Sequence, residues 1–494
     1  IRFSVPRSLP NDRPITKRTR MVELAKYGLI LVAIANLAIV IVPYMLGRAE
    51  LMTCRNFFLF GFTIYQVTSG VITLANPGSY TPEIMVSQQN AIAGKYLLWI
   101  IIFEIIFLAS YRWGFGSKKL AKWTPIVKGT PREPVLWIFA FTLLGVALLL
   151  RFMILVPYIS VLTTHIGMST AAVAAGLGAW VWVRRPLNPA AAALMFGVLG
   201  AALIISLAGF YGRRPIVAIT GCLAWGTYYS RWRNLQPARV IVYAAIFGII
   251  PVVLVAKYTA IRGQFQGTEA SGYQRLTAMV NANTKVGLMD LVSGQECAAW
   301  SMHLMEIYPE NYQYRHMHSI EFYFVFSVPR ALWPEKPDPL ATVAWRDAGI
   351  PGVPDGFSIG PGIIGHAAAE GGFYALILYA GIFGLFIRYF DAVLARAPTQ
   401  PFIALPIGAS LGNLIGIPRG EVANFTYEFT VGVLGALVML IIVAKILKMA
   451  GLISDDDLAR FEEDHYDANH DDYDEGPYYD PELAASYSTD PDEG

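Results

Sequence analysis

HSIEFYFVFSVPRALWPEKP (318–337) and GPGIIGHAAAEGGFY (360–374), joined by about twenty polar, Gly/Pro-rich residues, close the one long hydrophilic segment between the chain's apolar runs. They collect what hydrocarbon excludes: Arg330, Lys336, His366 and Glu370, set among prolines and glycines. The sequence on either side reads as membrane helix. The segment is therefore expected at the outer membrane surface, held there by the helices before and after it.

Composition gives the same class. The chain is 55% hydrophobic and 15% charged, with a mean hydropathy of +0.46, whereas soluble domains carry roughly a quarter charged residues. Several apolar runs reach the roughly 20 residues that cross about 30 Å of hydrocarbon as a helix. Spans are expected at about 27–47, 56–76, 96–114, 135–157, 168–183, 189–210, 214–229, 240–258, 372–392, 401–417 and 424–447. The expected fold is an all-α polytopic membrane protein of about 11–12 transmembrane helices, with one large extracytoplasmic loop before the last three spans. Its parts are a basic arm (1–26), N-terminal transmembrane helices (27–258), the large loop (259–371), C-terminal transmembrane helices (372–450) and an acidic, disordered tail (451–494).

From Ser454 to Gly494 the chain holds sixteen Asp/Glu and one Arg, a net of −15, which leaves +17 on the remainder of a chain whose total is +2. The basic residues are dispersed between apolar helices, which suits basic cytoplasmic loops and excludes nucleic acid as a partner. Basic loops at 117–134, 184–188, 230–239 and after 387 should be cytoplasmic, placing 77–95, 158–167 and 259–371 outside and the acidic tail inside. Eleven spans with a cytoplasmic C-terminus put the basic N-terminus outside, against the same rule, and the conflict centres on 27–76. Arg213 and Arg214 also fall outside, either as exceptions or as part of an outward-facing cationic site.

Cys54, Cys222 and Cys297 have neither disulfide nor metal spacing and read as small buried residues. His303, His316 and His318 lack the neighbours of a zinc site, and no cofactor or metal is implied. His465 and His470 lie in the acidic tail.

Charges within the spans mark a polar interior. Arg151 sits in LLGVALLLRFMILV and Glu104 in LLWIIIFEIIFLAS. Either the two pair between packed helices, or Arg151 lines a cavity and binds an anionic group. Arg419 follows Pro418 in IPRGEVANFTYEF, and Glu421, Asn424 and Glu428 are spaced to share one helix face. That polar stripe suggests a water-filled cleft. Arg262 stands just beyond the eighth span. Arg330 and Lys336 flank LWP in a Pro-stiffened piece that would present two cations in fixed positions, an arrangement suited to a pyrophosphate. His366, Glu370 and Tyr374 follow i, i+4, i+8 and form one stripe if helical; either His366 or Glu370 there could deprotonate a sugar hydroxyl.

SVPRALWPEKP, the Gly/Pro segment leading into GHAAAEGGFYALILYAGIFGLF, and the late IPRGE together resemble the oligosaccharide repeat-unit polymerases, the O-antigen polymerase (Wzy-type) family. The resemblance covers about 160 residues, from roughly 260 to 425. It also extends to the order of many spans, one large outer loop and a few final spans. It implies a glycosyltransferase of the bacterial inner (cytoplasmic) membrane, active on the outer side and needing neither metal nor nucleotide sugar. A growing glycan on undecaprenyl pyrophosphate would pass to a hydroxyl of another lipid-linked repeat unit. Arg330 and Arg419 would clamp the pyrophosphate, with Arg262 and Lys336 in support and His366 or Glu370 as base. Arg151, Tyr374, Glu421 and Glu428 would line the cavity. Membrane lipid, the lipid-linked substrate and a chain-length regulator or other polysaccharide-assembly protein are the partners expected. Ligase chemistry and transport of lipid-linked glycans are the alternatives. The acidic tail departs from the family pattern.

Overall fold

Leu, Ile, Val, Ala and Phe in runs of this length satisfy their backbone groups without water only as helices, and helix is the only regular structure among the described residues. A computed structural model describes residues 15–75, 89–127, 129, 131–153, 159–207, 214–261, 271–292, 296–347 and 360–459. Arg262, Arg213, His465 and His470 lie outside them. The N-terminal helices are α1 (Ile15–Met45), α2 (Cys54–Phe62) continuing through a π-helical stretch (Thr63–Thr68) into α3 (Ser69–Ala75), α4 (Gln89–Trp113) and α5 (Ser117–Trp123). Next come α6 (Glu133–Leu148), extended by a second π stretch (Leu149–Met153), α7 (Ser160–Arg184), α8 (Pro189–Leu207), α9 (Arg214–Ser230) and α10 (Pro237–Ile261). The large loop carries α11 (Gly272–Asn281), α12 (Thr284–Val292), α13 (Cys297–Ile307), α14 (His318–Val325), α15 (Leu340–Asp347) and α16 (Gly362–Glu370). The chain then runs through α17 (Phe373–Leu394), α18 (Pro401–Gly408), α19 (Leu411–Gly416), α20 (Val422–Met449) and α21 (Asp455–Ala459).

Nine helical segments among the described residues are long and apolar enough to cross a membrane. The expected spans over 214–229 and 401–417 are shorter: α9 has 17 residues, and Pro401–Gly416 is broken between α18 and α19. The protein is thus a polytopic helical membrane protein. The expected span at 168–183 begins earlier, at Ser160, so that residues assigned to a loop form the first turns of α7.

Two ends of the bundle are defined by their polar contacts. At one, Glu50 accepts from Tyr228 OH (2.5 Å) and Arg233 Nε (2.6 Å), and Asp391 accepts from Cys54 N (2.7 Å) and Tyr111 OH (2.8 Å). Arg231 donates to Val183 O at 2.9 Å and Arg396 to Ala121 O at 2.8 Å at that end. The other end holds the large loop, where Lys95 Nζ donates to Met305 O at 3.3 Å. Met21 packs beside Gly94, so α1 starts at the large-loop end.

Between the ends, Phe58, Phe62, Phe103 and Phe107 stack from α2 to α4 with centroids 4.6 Å apart for Phe58–Phe107 and 5.0 Å for Phe62–Phe103. Cys54, Cys222 and Cys297 are free thiols, all buried. Glu104 accepts from Asn36 Nδ2 at 2.6 Å, and Asn36 also donates to Thr63 Oγ1 at 3.0 Å. The pair Arg151–Glu104 does not form: an amide on α1 meets the carboxyl, while Arg151 lies on the π stretch that ends α6.

The large loop is more than a surface cap, because it plunges into the bundle twice. Gln66, near the middle of the span Cys54–Ala75, donates its amide to Cys297 Sγ (3.1 Å), Pro361 O (3.2 Å) and Pro418 O (2.8 Å). Its Oε1 accepts from Tyr96 OH (2.8 Å) and Ser301 Oγ (3.3 Å). Gln66 stands nine residues, about 14 Å, from the helix end at Ala75, so the starts of α13 and α16 lie at membrane depth. Irregular backbone survives there only inside protein with its carbonyls satisfied, and Gln66 supplies those donors. Gly362 fits because its φ is +61° and because a Cβ there would strike the Pro418 carbonyl.

Gln66→Leu removes the donor to Pro418 O and is expected to cost about 1–3 kcal/mol, read as a lower thermal midpoint in detergent. Gly362→Ala combines backbone strain with a clash and is expected to be worse. A Gln66→Leu protein as heat-resistant as the parent would show that these carbonyls do not depend on the amide.

Candidate functional site

The turn Ile417–Glu421 divides two polar clusters at the large-loop end. Pro418 cannot continue α19, the chain closes with Gly420 N donating to Gly416 O (2.9 Å), and Glu421 becomes the N-cap of α20. Arg419 and Glu421, two residues apart, serve different neighbours.

On the Glu421 side, α16 brings His366 and Glu370 one turn apart, both fully enclosed. Ser319, at the start of α14, contacts His366 Nδ1 through Oγ at 2.6 Å and donates from Oγ (2.5 Å) and N (3.2 Å) to Glu370 Oε1. Tyr379 OH donates to Glu370 Oε2 at 2.5 Å. Glu421 Oε2 accepts from Ala341 N (2.7 Å), at the start of α15, and lies 3.6 Å from His366 Nε2. Each carboxylate therefore meets the N-terminus of a short loop helix, where anions are favoured. Both oxygens of Glu370 are occupied, whereas His366 Nε2 has no hydrogen-bond partner among the described residues. Burial opposes a charged imidazole, but Glu421 and then Glu370 outweigh it and raise the proton affinity of His366 above the usual histidine range.

Tyr374 does not join this stripe. The helix stops at Glu370, Gly372 takes φ +62°, and α17 restarts at Phe373. That break leaves Tyr374 84% exposed and puts Tyr379 against Glu370 instead.

On the Arg419 side, Arg214 pairs with Glu428 and stacks on Phe425 at 4.8 Å. His165 Nε2 stands 3.6 Å from Glu428 Oε1. Arg419 acts electrostatically on Arg214, Arg214 and Arg151 on His165, and Arg275 on Arg151. His165, Ser169, Arg214, Asn413 and Glu428 line a cavity of about 20 Å³, beside the break between α18 and α19; it has room for a water. Arg419 lies over Tyr65 of the first π stretch at 5.7 Å and has no carboxylate partner among the described residues. Its Nε is buried without a hydrogen bond there. Glu421 and Glu428 thus serve separate clusters rather than one continuous stripe.

Arg330 and Lys336 are spent on their own loop. Arg330, 53% exposed, pairs with Asp338 at 2.5 Å and donates to Lys336 O at 3.0 Å. Lys336 Nζ turns inward to Phe326 O (2.6 Å) and Val328 O (3.0 Å) and lies over the Phe322 ring. The Pro-rich piece closes on these contacts, and the ammonium is a fastener rather than a presented cation. His318 contacts Asp338 O at 2.7 Å. No group of three His, Cys, Asp or Glu among the described residues is placed to hold a metal ion.

Sequence reading brought out Arg151, Arg214, Arg419, Glu421, Glu428, His366 and Glu370, and the fold assembles them at one end. It missed His165, assigned to a loop, and Ser319, Tyr379 and Gln66, which have no motif. Arg275 belongs to α11 of the large loop, yet it is 1% exposed and donates to Leu207 O at 3.2 Å. Its isolation in an otherwise uncharged helix was the available clue. No family model, curated protein or solved structure matches the chain.

A group with higher proton affinity folded than unfolded stabilises fully below its unfolded pKa, and the contribution is lost as pH rises through the folded value. Thermal stability in detergent is therefore expected to fall as pH climbs above 6.5, the ordinary value for His366. His366→Asn should remove that component. An identical pH profile in the variant would exclude a stabilising imidazolium.

Proposed function

We propose that the protein is a glycosyltransferase of the bacterial inner (cytoplasmic) membrane that polymerises undecaprenyl-pyrophosphate-linked repeat units into a surface polysaccharide, with its site facing outward. The observation that carries this reading is Arg419, a cation without a carboxylate partner among the described residues, set beside Arg214 at the large-loop end. Glu428 already answers Arg214, which leaves Arg419 to attract a further anion, and a pyrophosphate is such an anion. The resemblance of SVPRALWPEKP, GHAAAEGGFY and IPRGE to the O-antigen polymerases supplies the substrate class.

In the reaction, an acceptor sugar hydroxyl oxygen attacks the anomeric carbon of the growing glycan. The bond from that carbon to the pyrophosphate oxygen breaks, and the leaving oxygen takes the electron pair. Arginines placed where this charge develops stabilise the transition state. The hydroxyl proton needs an acceptor, and the neutral form of His366, present above its raised pKa, offers Nε2 for that role, whereas both oxygens of Glu370 already accept hydrogen bonds. His366 is fully enclosed, and its Nε2 faces Glu421, which holds the start of α15, so that side of the cover must move for a hydroxyl to reach it. Arg330 is a rim cation, and the role of Arg262 as a further phosphate ligand rests on its position in sequence.

Deletion of the gene should leave single repeat units and abolish long chains on a gel of surface glycan. Loss of all glycan from its final acceptor would point to a ligase, and lipid-linked units stranded inside would point to a flippase. Arg419→Ala is expected to lower chain extension by about 10²-fold, with Arg330→Ala causing a smaller loss, while both proteins remain in the membrane. Unimpaired extension by Arg419→Ala would remove the residue from the clamp.

A further inference from the structure

α4 and α17 pack along one another toward the bundle end away from the large loop. Gly384 permits the approach, since a Cβ there would lie 2.6 Å from the Phe107 carbonyl oxygen. Three arginines meet where this seam ends. Arg388 of α17 holds its guanidinium carbon 5.3 Å from the centre of the Tyr111 ring, and Arg55 of α2 lies 5.5 Å from the same centre. Arg112 follows Tyr111 in the last turn of α4 and is exposed. Gly114, at φ +71°, turns the chain out of α4 beside the Arg388 stem; a Cβ there would lie 3.5 Å from Arg388 Cγ.

Asp391 is the carboxylate at this point, and its oxygens are taken by Cys54 N, Arg55 N (3.1 Å) and Tyr111 OH. Arg55 donates from Nε and Nη2 to Asn56 Oδ1, and Arg388 Nε is buried with no hydrogen bond among the described residues. None of the three guanidiniums forms an ion pair there. One carboxylate cannot neutralise three guanidiniums, so the group attracts an anion from outside. Depth says which anion. Both helices are long and apolar enough to span, and Arg112 stands one residue from the end of α4. Arg388 stands six residues, about 9 Å, from the end of α17. Trp113 and Phe115, each 70% exposed with ring centres 5.7 Å apart, add the aromatic pair of a membrane interface. Leu98, Ile105 and Arg112 recur at seven residues on one exposed face of α4, and Ile377, Gly381 and Arg388 follow i, i+4, i+11 on α17. Each of these two arginines thus ends an apolar stripe, which matches a phosphate carried above acyl chains.

We propose that Arg388, Arg112 and Arg55 hold the phosphate of an anionic phospholipid at the interface away from the large loop, with its acyl chains along the α4–α17 seam. Guanidiniums fork onto phosphate oxygens, and basic pockets between membrane helices take such head groups. The site lies at the opposite end of the bundle from Arg419 and His366, and it is independent of the polymerase reading.

The test supplies the full chain in detergent with phosphatidylglycerol or phosphatidylcholine of identical acyl chains and follows the first bound lipid by native mass spectrometry. The parent is expected to bind phosphatidylglycerol about tenfold more tightly than phosphatidylcholine. Arg388→Gln should weaken phosphatidylglycerol binding about tenfold. Arg112→Gln, at an exposed position, should weaken it in the same direction and keeps the test alive should the first variant not fold. Arg239→Gln removes another exposed cation, at the start of α10 on the same end of the bundle, and should leave binding unchanged. An excess of inorganic phosphate should not displace the lipid. Equal binding of the two lipids, or parent-like binding by both Arg388→Gln and Arg112→Gln, would overturn the site. An equal loss with Arg239→Gln would reduce it to general surface attraction, and displacement by inorganic phosphate would remove the lipid from the assignment.

Discussion

The arrangement depends on one side-chain amide. Gln66 projects from a π-helical stretch in the middle of a span and meets three pieces of chain that have no helical partner for their backbone: the starts of α13 and α16, and the turn after α19. Water is not available at that depth to satisfy the Pro361 and Pro418 carbonyls, and an unpaired buried carbonyl is costly. A short polar side chain within a span therefore lets a loop of more than a hundred residues enter the bundle. Tyr96 and Ser301 fix the amide's orientation by occupying its oxygen.

Both π stretches among the described residues carry a polar residue of consequence. Thr63–Thr68 presents Tyr65 to Arg419 and Gln66 to Pro418, and Leu149–Met153 contains Arg151. Such bulges are found where a helix must aim a side chain that regular geometry would misplace. The turn Ile417–Glu421 adds the third device. Helix termination at Pro418 puts a cation and a carboxylate two residues apart into adjacent clusters, so charge separation is built into five residues.

The carboxylates next to His366 also have mechanical roles. Glu370 holds the start of α14 and Glu421 the start of α15, so the two short helices over the site are tied to the groups that set the proton affinity of His366. Any movement that opens the site changes those hydrogen bonds, and the imidazole and its cover are coupled through the same atoms. The cationic cluster is organised differently. Its arginines come from α6, α9, α11 and the turn before α20, far apart in the chain, and Glu428 anchors one of them.

Hydrophobic runs of span length determine the polytopic helical class and approximate span positions from the sequence alone, because the cost of unpaired backbone in hydrocarbon leaves only helix. The same argument made Arg151, Arg419 and Glu428 legible as polar groups that must face the interior. Helical spacing placed His366 and Glu370 together, but it carried on to Tyr374 because periodicity cannot show that Gly371–Gly372 breaks the register. Spacing also made Lys336 look available, although the Phe326 and Val328 carbonyls that consume it become neighbours only when the Pro-rich turn closes. Only tertiary structure decided that Gln66 draws the large loop inward, that His165 and Arg275 join the arginines, and that Ser319 and Tyr379 seal the histidine. Those are contacts between residues remote in the chain, set by how the helices pack, and no local pattern encodes them.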